Sequence, residues 1–552
     1  MVGVLPMLAA WLVVAAPPGD VVLVSFDGDT PSAEVNSFGG GEVGRVADFR
    51  LTPPGGGCPS NPAGRALDAG FSDGTAGGRL VFGLPKDADL RQGTVELWFR
   101  PRWATGAREG HTLFQIKLQG GVWNGIWLGY HGTIGPTTEA FGANIMDGLD
   151  HPCYVHDAKT LGWEPGVWHH VAFTWTQRSE YLFVDGGLVA QLPLPQPLQI
   201  RGNEGELWIG ARYPSGGWPA GGLIDEFRFC NVPLYSPDAP PRPGERPTAD
   251  LGLGLAALRT GAEATADATS PPVQLRGDVP ALHDGWYGEP ATRVGGAGKG
   301  LVWVELPREE QVAAFEWSRD GSPYAGEQGQ GYARLMPWPR DFVVEVSEDG
   351  ETWQEVYGAE AFDISPQYVA EHENLRFRHD FGPRAARHVR MRILAGPRGN
   401  PAPQLDEVAV YAADGRSLAR EDGARVFSDL TMMTVEHEPS LALDGRWGEE
   451  SCWRSATPGR GVLTVKLPEP AEVSRVVFSR SREGLESDGT PSAGRVEVSA
   501  DGEEWQAVGG ISGADPKPRE VAFAPRQARF VRLVITATTD GREPAVDDLR
   551  LY

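Results

Sequence analysis

Apolar and polar residues alternate along short runs over nearly the whole chain. A period of two sends one side chain to an interior and the next to water, which is the signature of a half-buried strand. In residues 94–100 (TVELWFR), Val95, Leu97 and Phe99 fall on one face. Residues 168–175 (WHHVAFTW) read as a strand, and 181–190 (YLFVDGGLVA) as a hairpin turning at Asp185-Gly186. Residues 206–211 and 223–229 add further strands. Nearer the carboxy terminus, 300–307 (GLVWVELP) sets Val302, Val304 and Leu306 on one face and Trp303 and Glu305 on the other. No long run carries apolar positions at helical spacing, so the pattern predicts an all-β protein made of sandwiches.

The carboxy-terminal half repeats itself. Residues 344–356 (VEVSEDGETWQEV) and 496–508 (VEVSADGEEWQAV) agree at ten of thirteen positions. Around them GLVWVELP parallels 461–468 (GVLTVKLP), in which Leu463, Val465 and Leu467 face inward. Residues 386–393 (ARHVRMRI) parallel 528–535 (ARFVRLVI), and both copies close on an acidic pair and a strand (DEVAVY, DDLRLY). A unit of this length is a duplicated domain rather than a solenoid repeat. Asp349-Gly350 and Asp501-Gly502 stand between strands, where a tight hairpin is expected.

The 552 residues exceed what one core organises and suit three or four domains. The 72 Gly and 46 Pro argue against helices, and 41% hydrophobic residues suffice for packed cores. A net charge of −24 without a basic stripe makes nucleic acid an unsuitable partner. Residues 5–16 form an apolar run ending in small residues, too short to span a bilayer and patterned as the core of an export signal, although no Lys or Arg precedes Arg45. No later segment is apolar enough for an anchor, so the expected location is secreted, periplasmic or cell-surface. Five prolines in 236–249 (SPDAPPRPGERPTA) predict a stiff linker, and 413–425 a second, polar break. Of the four cysteines, Cys58 and Cys230 flank the first domain and could pair as a disulfide. Cys153 is left without an assigned partner, and Cys452, by itself in the last domain, is expected to be a thiol. No CxxC pair offers a zinc ribbon.

With these segments in order, the series GTVELWFRP, GVWHHVAFTW, YLFVDGGLVA, ELWIGAR and GGLIDEFRFCNVPLYS resembles a laminin-G-like, or concanavalin-A-like, jelly roll spanning about 21–235. Residues 250–412 and 426–552 each resemble the coagulation factor V/VIII type C, or discoidin, domain, a galactose-binding-like β-sandwich. The shared marks are an early Asp-Gly (Asp284-Gly285, Asp444-Gly445), the VEVSxDGxxWxxV hairpin, the AR-x-VR strand and the terminal acidic strand. The resemblance implies three sandwiches in tandem, which with the segments read above gives an export segment at 1–19, the jelly roll at 20–235, the linker at 236–249, and two discoidin-like bodies at 250–412 and 426–552 joined by 413–425. It also implies a structural calcium in each discoidin-like domain, with Asp284 and Glu407 as matching ligands in the first and Asp444 and Asp548 in the second. The plain alternative is that Asp-Gly serves as turn chemistry and the terminal acids are solvated.

Three constellations could carry function. Aromatic rings in predicted loops offer stacking platforms for the apolar face of a sugar: Trp286, Tyr287, Tyr324, Tyr332 and Trp338 in the first discoidin-like copy, with Trp303 on an outer strand face, and Trp447 and Trp453 in the second. Filling gaps beneath loops is the competing use of each. In the jelly roll, 147–157 (DGLDHPCYVHD) concentrates Asp147, Asp150, His151, Cys153, His156 and Asp157. His151 and His156 there, with the aspartates, could bind a metal, line a polar groove or merely hydrogen-bond within a loop. Glu96 and the pair Asp225-Glu226 lie on predicted strands but do not set acids at i and i+2 on one face, as a two-carboxylate hydrolase of this fold requires. No GxSxG, P-loop or HExxH occurs. The expectation is an extracellular binding or adhesion protein without catalytic residues, recognising carbohydrate through its sandwiches. A carbohydrate-active enzyme with its site in the jelly roll and a cell-envelope scaffold for protein partners are the alternatives.

Overall fold

The structure is a computed structural model. It describes residues 20–552 except 29–32, 39–49, 71–78, 86–87, 119–123, 133–138, 148–149, 195–197, 199, 201–204, 213–217, 258–260, 277–278, 280–281, 285–291, 297, 320–337, 363–374, 397–402, 429–431, 436 and 449–450. The described residues contain no helix of seven or more residues, and the architecture is all-β. Pro272–Val435 forms one compact unit, and the described residues on either side of it form the other.

The amino-terminal part is a two-sheet jelly roll. Its strands are β1 (Val21–Val24), β2 (Val35–Asn36), β3 (Leu67–Asp68), β4 (Leu80–Leu84), β5 (Gly93–Pro101), β6 (His111–Leu118), β7 (Asn124–His131), β8 (Ala140–Asp147), β9 (Asp150–His156), β10 (His169–Trp175), β11 (Ser179–Val184), β12 (Gly187–Pro193), β13 (Gly205–Ile209) and β14 (Gly222–Cys230). One sheet runs β12-β11-β10-β5-β14-β1-β2, with β3 also on β14; the other runs β4-β13-β6-β7-β8-β9. Alternate residues of both sheets meet in one core, in which Val95, Leu97 and Phe99 lie as their alternation predicts, facing Phe114, Ile116, Leu128 and Phe141. The hairpin at Asp185-Gly186 forms between β11 and β12, and Asp185 takes a positive φ of 50°. The proline-rich stretch is pinned rather than free. Arg246 reaches Asp27 at 2.6 Å and Glu226 at 2.7 Å, and Arg228 donates to the Thr248 carbonyl at 3.1 Å.

The repeat is reproduced in three dimensions. The long strand Lys299–Ser318 pairs with Arg376–Ala395, and Asp341–Ser347 and Gln354–Ala359 continue that sheet. Gly461–Ser479, Arg519–Thr538, Pro491–Ser499 and Gln506–Ser512 do the same in the last sandwich. The Asp-Gly connection is wider than a two-residue hairpin: strands end at Ser347 and resume at Gln354. Its lock is the same in both copies. Gly350 N donates to Ser347 Oγ at 2.8 Å and Gly502 N to Ser499 Oγ at 2.9 Å. The indole N–H of Trp353 donates to Gly350 O at 3.2 Å, and that of Trp505 to Gly502 O at 3.0 Å. Arg390 and Arg532 lie 3.8 Å above those two indoles, each also bonding a strand glutamate, Glu345 or Glu497, at 2.6 Å.

The sheets divide the chain differently from the boundaries expected at 250–412 and 426–552. Glu263–Ala266, which starts 37 residues before Gly300, pairs with the start of Gly461–Ser479 in the last sandwich. Arg425–Ser428, which starts 36 residues before Gly461, pairs with the equivalent part of Lys299–Ser318 in the middle one. By position each is the first strand of the copy that follows it. The two first strands are therefore exchanged, and the middle sandwich is inserted between the first strand of the last sandwich and the rest of it. Duplication is the physical reason, because both receiving edges present the same register, so either strand fits either edge by register.

Candidate functional site

Strand parity builds one face with chemistry on it. In the six-stranded sheet, Ile126, Leu128 and Tyr130 of β7 enter the core, which turns Gly125, Trp127, Gly129 and His131 outward. The same alternation turns Gly142 and Asn144 of β8 outward, with Tyr154 and His156 of β9 and Glu206 and Trp208 of β13. The register sets Trp208, Gln115, Trp127 and Asn144 in one row across four strands. Trp208, Gln115 and Trp127 of that row are buried, at 5–6% exposure, so these three side chains are closed off from a ligand. In the next row Gly129 faces Gly142, which faces Tyr154; in a further row His131 faces Ala140, which faces His156. The glycines leave room for rings. A Cβ on Gly129 would lie 2.7 Å from Trp127 Cζ2, and one on Gly142 would lie 2.6 Å from Tyr154 Cδ1.

The aromatic groups form a connected set. His131 lies over Trp127 with centroids 4.4 Å apart, and its Nε2 is 3.1 Å from the Tyr154 hydroxyl. Trp218, whose backbone holds an unfavourable φ of 49°, stands edge-on to His131 at 5.7 Å and lies against Gly110. Arg212 stacks 4.6 Å over Trp218, and Arg79 stacks 4.7 Å over Trp208. The indoles of Trp127 and Trp208 are tied down by Thr112 Oγ1 at 2.9 Å and Glu206 Oε2 at 2.8 Å. Burial, together with the Arg212 charge, pushes His131 down to about 4, so it is neutral at pH 7 and shares a hydrogen bond with Tyr154 rather than a charge. Tyr154, His131 and Trp218 are half-buried and His156 is exposed, giving ring surface and polar tips on one sheet face. Asn144 Oδ1 is buried there with no hydrogen-bond partner among the described residues.

Of the sequence candidates, His156 belongs to this face. His151 is five residues away on β9, opposite Ile145, and points to the other side of the strand, so the two histidines do not line one groove. Trp303, Trp447 and Trp453 are not platforms, being 6%, 1% and 0% exposed. Trp303 is enclosed by Trp353, His388 and Phe427, and Trp453 packs in the core of the last sandwich. Trp447 lies against the jelly roll, its backbone N–H and C=O both bonded to the Gln92 side chain at 3.0 and 2.8 Å. Trp338 is half-buried against the core of the middle sandwich. Trp286, Tyr287, Tyr324 and Tyr332 lie outside the described residues.

Two of the four carboxylates expected to hold calcium are paired with arginines. Asp548 is bonded by Arg482 at 2.9 Å and Arg550 at 3.0 Å. Asp444, pushed up to about 7 mainly by burial, is close enough to feel the Asp548 charge and accepts the Arg446 N–H at 2.8 Å. Glu407 pairs with Arg420 at 3.1 Å, while Asp284 is exposed. A divalent ion needs six to eight oxygens, and Asp548 and Glu407 are engaged by guanidinium groups instead, so those two carboxylates do not fit a calcium. Among the described residues no group of three or more His, Cys, Asp or Glu is arranged to hold a metal.

The acids of the jelly roll core are likewise engaged. Glu96 is fully buried, a position that by itself would raise its pKa, yet Arg228, His170 and Tyr235 hold it down at about 2. Asp225 accepts the backbone N–H groups of Cys58 and Glu226, each at 2.8 Å, and burial pushes it up to about 7. All four cysteines are buried thiols, so the expected Cys58–Cys230 disulfide is not formed and Cys452 is a thiol as expected. Among the described residues no helix is long and apolar enough to cross a membrane.

The sheets and this face define a multidomain β-sandwich protein of jelly-roll and discoidin type. Residues 76–238 match the family model described as Laminin_G_3, the Concanavalin A-like lectin/glucanases superfamily, and residues 427–546 match the F5/8 type C domain. The second falls within the region whose sequence resembles that family, and the first overlaps the jelly-roll region and runs three residues past 235. The comparison with curated proteins finds no match. Among solved structures, CpGH89CBM32-5 from Clostridium perfringens, in complex with GalNAc-beta-1,3-galactose, is 17% identical with a TM-score of 0.20, covering 21% of this chain and 84% of that one. Chitosan-binding module 1 of a chitosanase/glucanase from Paenibacillus sp. IK-5 is 23% identical with a TM-score of 0.18, covering 21% and 85%. The family 32 CBM of C. perfringens NanJ, in complex with galactose, is 15% identical with a TM-score of 0.19, covering 21% and 83%.

Proposed function

We propose that the chain is an extracellular carbohydrate-binding protein whose jelly roll holds glycan across the outer face of its six-stranded sheet. The carrying observation is the connected set His131, Tyr154 and Trp218, in which half-buried rings stand beside hydrogen-bonding tips over a floor of glycine, with buried Trp127 packed against His131. A pyranose needs that combination: an apolar ring face to stack on and fixed polar groups to orient its hydroxyls. In the same reading residues 5–16 direct export. Binding rather than hydrolysis is supported by the state of the acids, since Glu96 is neutralised by Arg228 and Asp225 is occupied by two backbone N–H groups. The test is retention of the full chain in gels containing a panel of neutral and acidic polysaccharides, repeated with Trp218→Ala and Tyr154→Ala. Retention that both variants lose supports the reading; absence of retention on every polymer ends it.

One observation favours catalysis as a second reading. The phenol and imidazole of Tyr154 and His131 share a hydrogen bond on this open face, an arrangement able to move a proton. New reducing ends released from a retained polymer, and lost in Tyr154→Phe, would select it.

A further inference from the structure

We propose that the glycan held by this face is acidic, a polysaccharide carrying carboxylate or sulfate groups that Arg79 and Arg212 receive. The inference rests on the binding role assigned to the face above and names its substrate class.

The chain as a whole repels anions, with 74 Asp and Glu against 50 Lys and Arg. The face inverts that balance. Among the described outward side chains of its six strands, Glu206 is the single carboxylate, and it is tied to the Trp208 indole. Elsewhere in the jelly roll three arginines are matched with acids, Arg91 with Asp89 at 2.7 Å, Arg102 with Asp68 at 2.6 Å, and Arg228 with Glu96, while Arg100 donates to the Gly166 carbonyl at 2.7 Å. Arg79 and Arg212 instead rest on indole rings. Neither makes an ion pair among the described residues, and Arg79 Nε is buried without a hydrogen-bond partner there.

A guanidinium held over a ring loses much of its freedom to move while keeping its N–H groups for an anion, and its fork can bind a carboxylate or sulfate through two oxygens. Burial with no acid beside it lowers the Arg79 pKa, a cost an arriving anion would relieve. Neutral His131 beside Arg212 leaves that cation without a competing charge while supplying ring surface to the same sugar.

The experiment measures binding of the full chain to four polymers: the acidic polygalacturonate and dextran sulfate, and their neutral counterparts, carboxyl-reduced polygalacturonate and dextran. Arg79→Gln, Arg212→Gln and the double variant are run beside the native chain. Expected is about tenfold or greater preference for an acidic polymer over its neutral counterpart, consistent with a charge-assisted pair. The preference should weaken as salt rises and collapse in the double variant. Which acidic polymer is bound identifies carboxylate or sulfate as the group received. Thermal unfolding confirms that each variant is folded, and the salt dependence of the native chain decides the matter if the double variant is not. Equal or tighter binding of the neutral polymers overturns the acidic assignment while leaving the face a glycan site. Acidic preference unchanged in a folded double variant also overturns it. Retention on none of these four polymers overturns the acidic assignment, and the reading of the face as a glycan site falls only when the wider polysaccharide panel fails as well.

Discussion

Glu263 and Lys466 face each other across neighbouring strands of the last sandwich and close an ion pair of 2.9 Å. The equivalent position in the middle sandwich pairs Arg425 with Glu305. Returning each first strand to the copy that follows it would set Glu263 against Glu305 and Arg425 against Lys466, two like-charge pairs. Cross-strand charges of one sign destabilise a sheet and unlike ones support it, so these four residues favour the exchanged arrangement over the simple tandem one. Lys466→Glu is therefore expected to lower stability by about 0.5 kcal/mol, because both side chains are exposed and partly screened. Adding Glu263→Lys should restore it. Thermal unfolding of the single and double variants checks this, and failure of the second change to rescue the first removes the charge argument.

Two tryptophans separate scaffold from site. Trp453 fills the core of the last sandwich, so Trp453→Ala should cost about 3–5 kcal/mol in denaturant unfolding. Trp218 is half-buried on the sheet face, so Trp218→Ala should change stability far less and remove polysaccharide retention. Equal losses of stability in both variants would make Trp218 a core residue.

The pairing of Asp548 with arginines makes a direct prediction for the last sandwich. A chelator should leave its melting temperature unchanged, and added calcium should not raise it. Arg482→Ala leaves buried Asp548 with only Arg550 and should destabilise by about 3 kcal/mol. A melting temperature that falls on chelation would reinstate the metal.

The pH dependence of the jelly roll follows from Asp225, whose pKa burial raises to about 7, with the neighbouring Glu226 charge adding to it. An unfolded aspartate titrates near 3.9, so between about pH 4 and 7 the folded chain holds the extra proton. The stability due to protonated Asp225 is present at pH 4 and lost as pH rises to about 7. Asp225→Asn should flatten that decline, measured as melting temperature against pH; an unchanged slope would place its origin elsewhere.

Strand identity, the duplication and both family resemblances were legible in the chain because alternation and turn chemistry are local. The inward positions Val95, Val302 and Leu463 followed from period two alone. What was not legible depended on covering layers and partners. Trp303 alternates outward, but His388, Trp353 and Phe427 close over it from segments remote in sequence. The exchange of first strands leaves little local trace, since the two edges share one register and only the charges of Glu263 and Arg425 tell them apart. Nor did the Asp-Gly and terminal acids reveal that Arg482 and Arg550 pair with Asp548. The sheet face had one usable signal, glycine and aromatic residues alternating on the outward positions of 124–131 (NGIWLGYH), but only the register with β8 and β9 unites it with Tyr154.

Hydrogen exchange of the full chain, with and without whichever polysaccharide it retains, locates the contact most directly. Slowed exchange should concentrate in β7, β8 and β9 and around Trp218. Slowing confined to residues beyond 250, with the jelly roll unaffected, would contradict the assignment of glycan binding to this sheet.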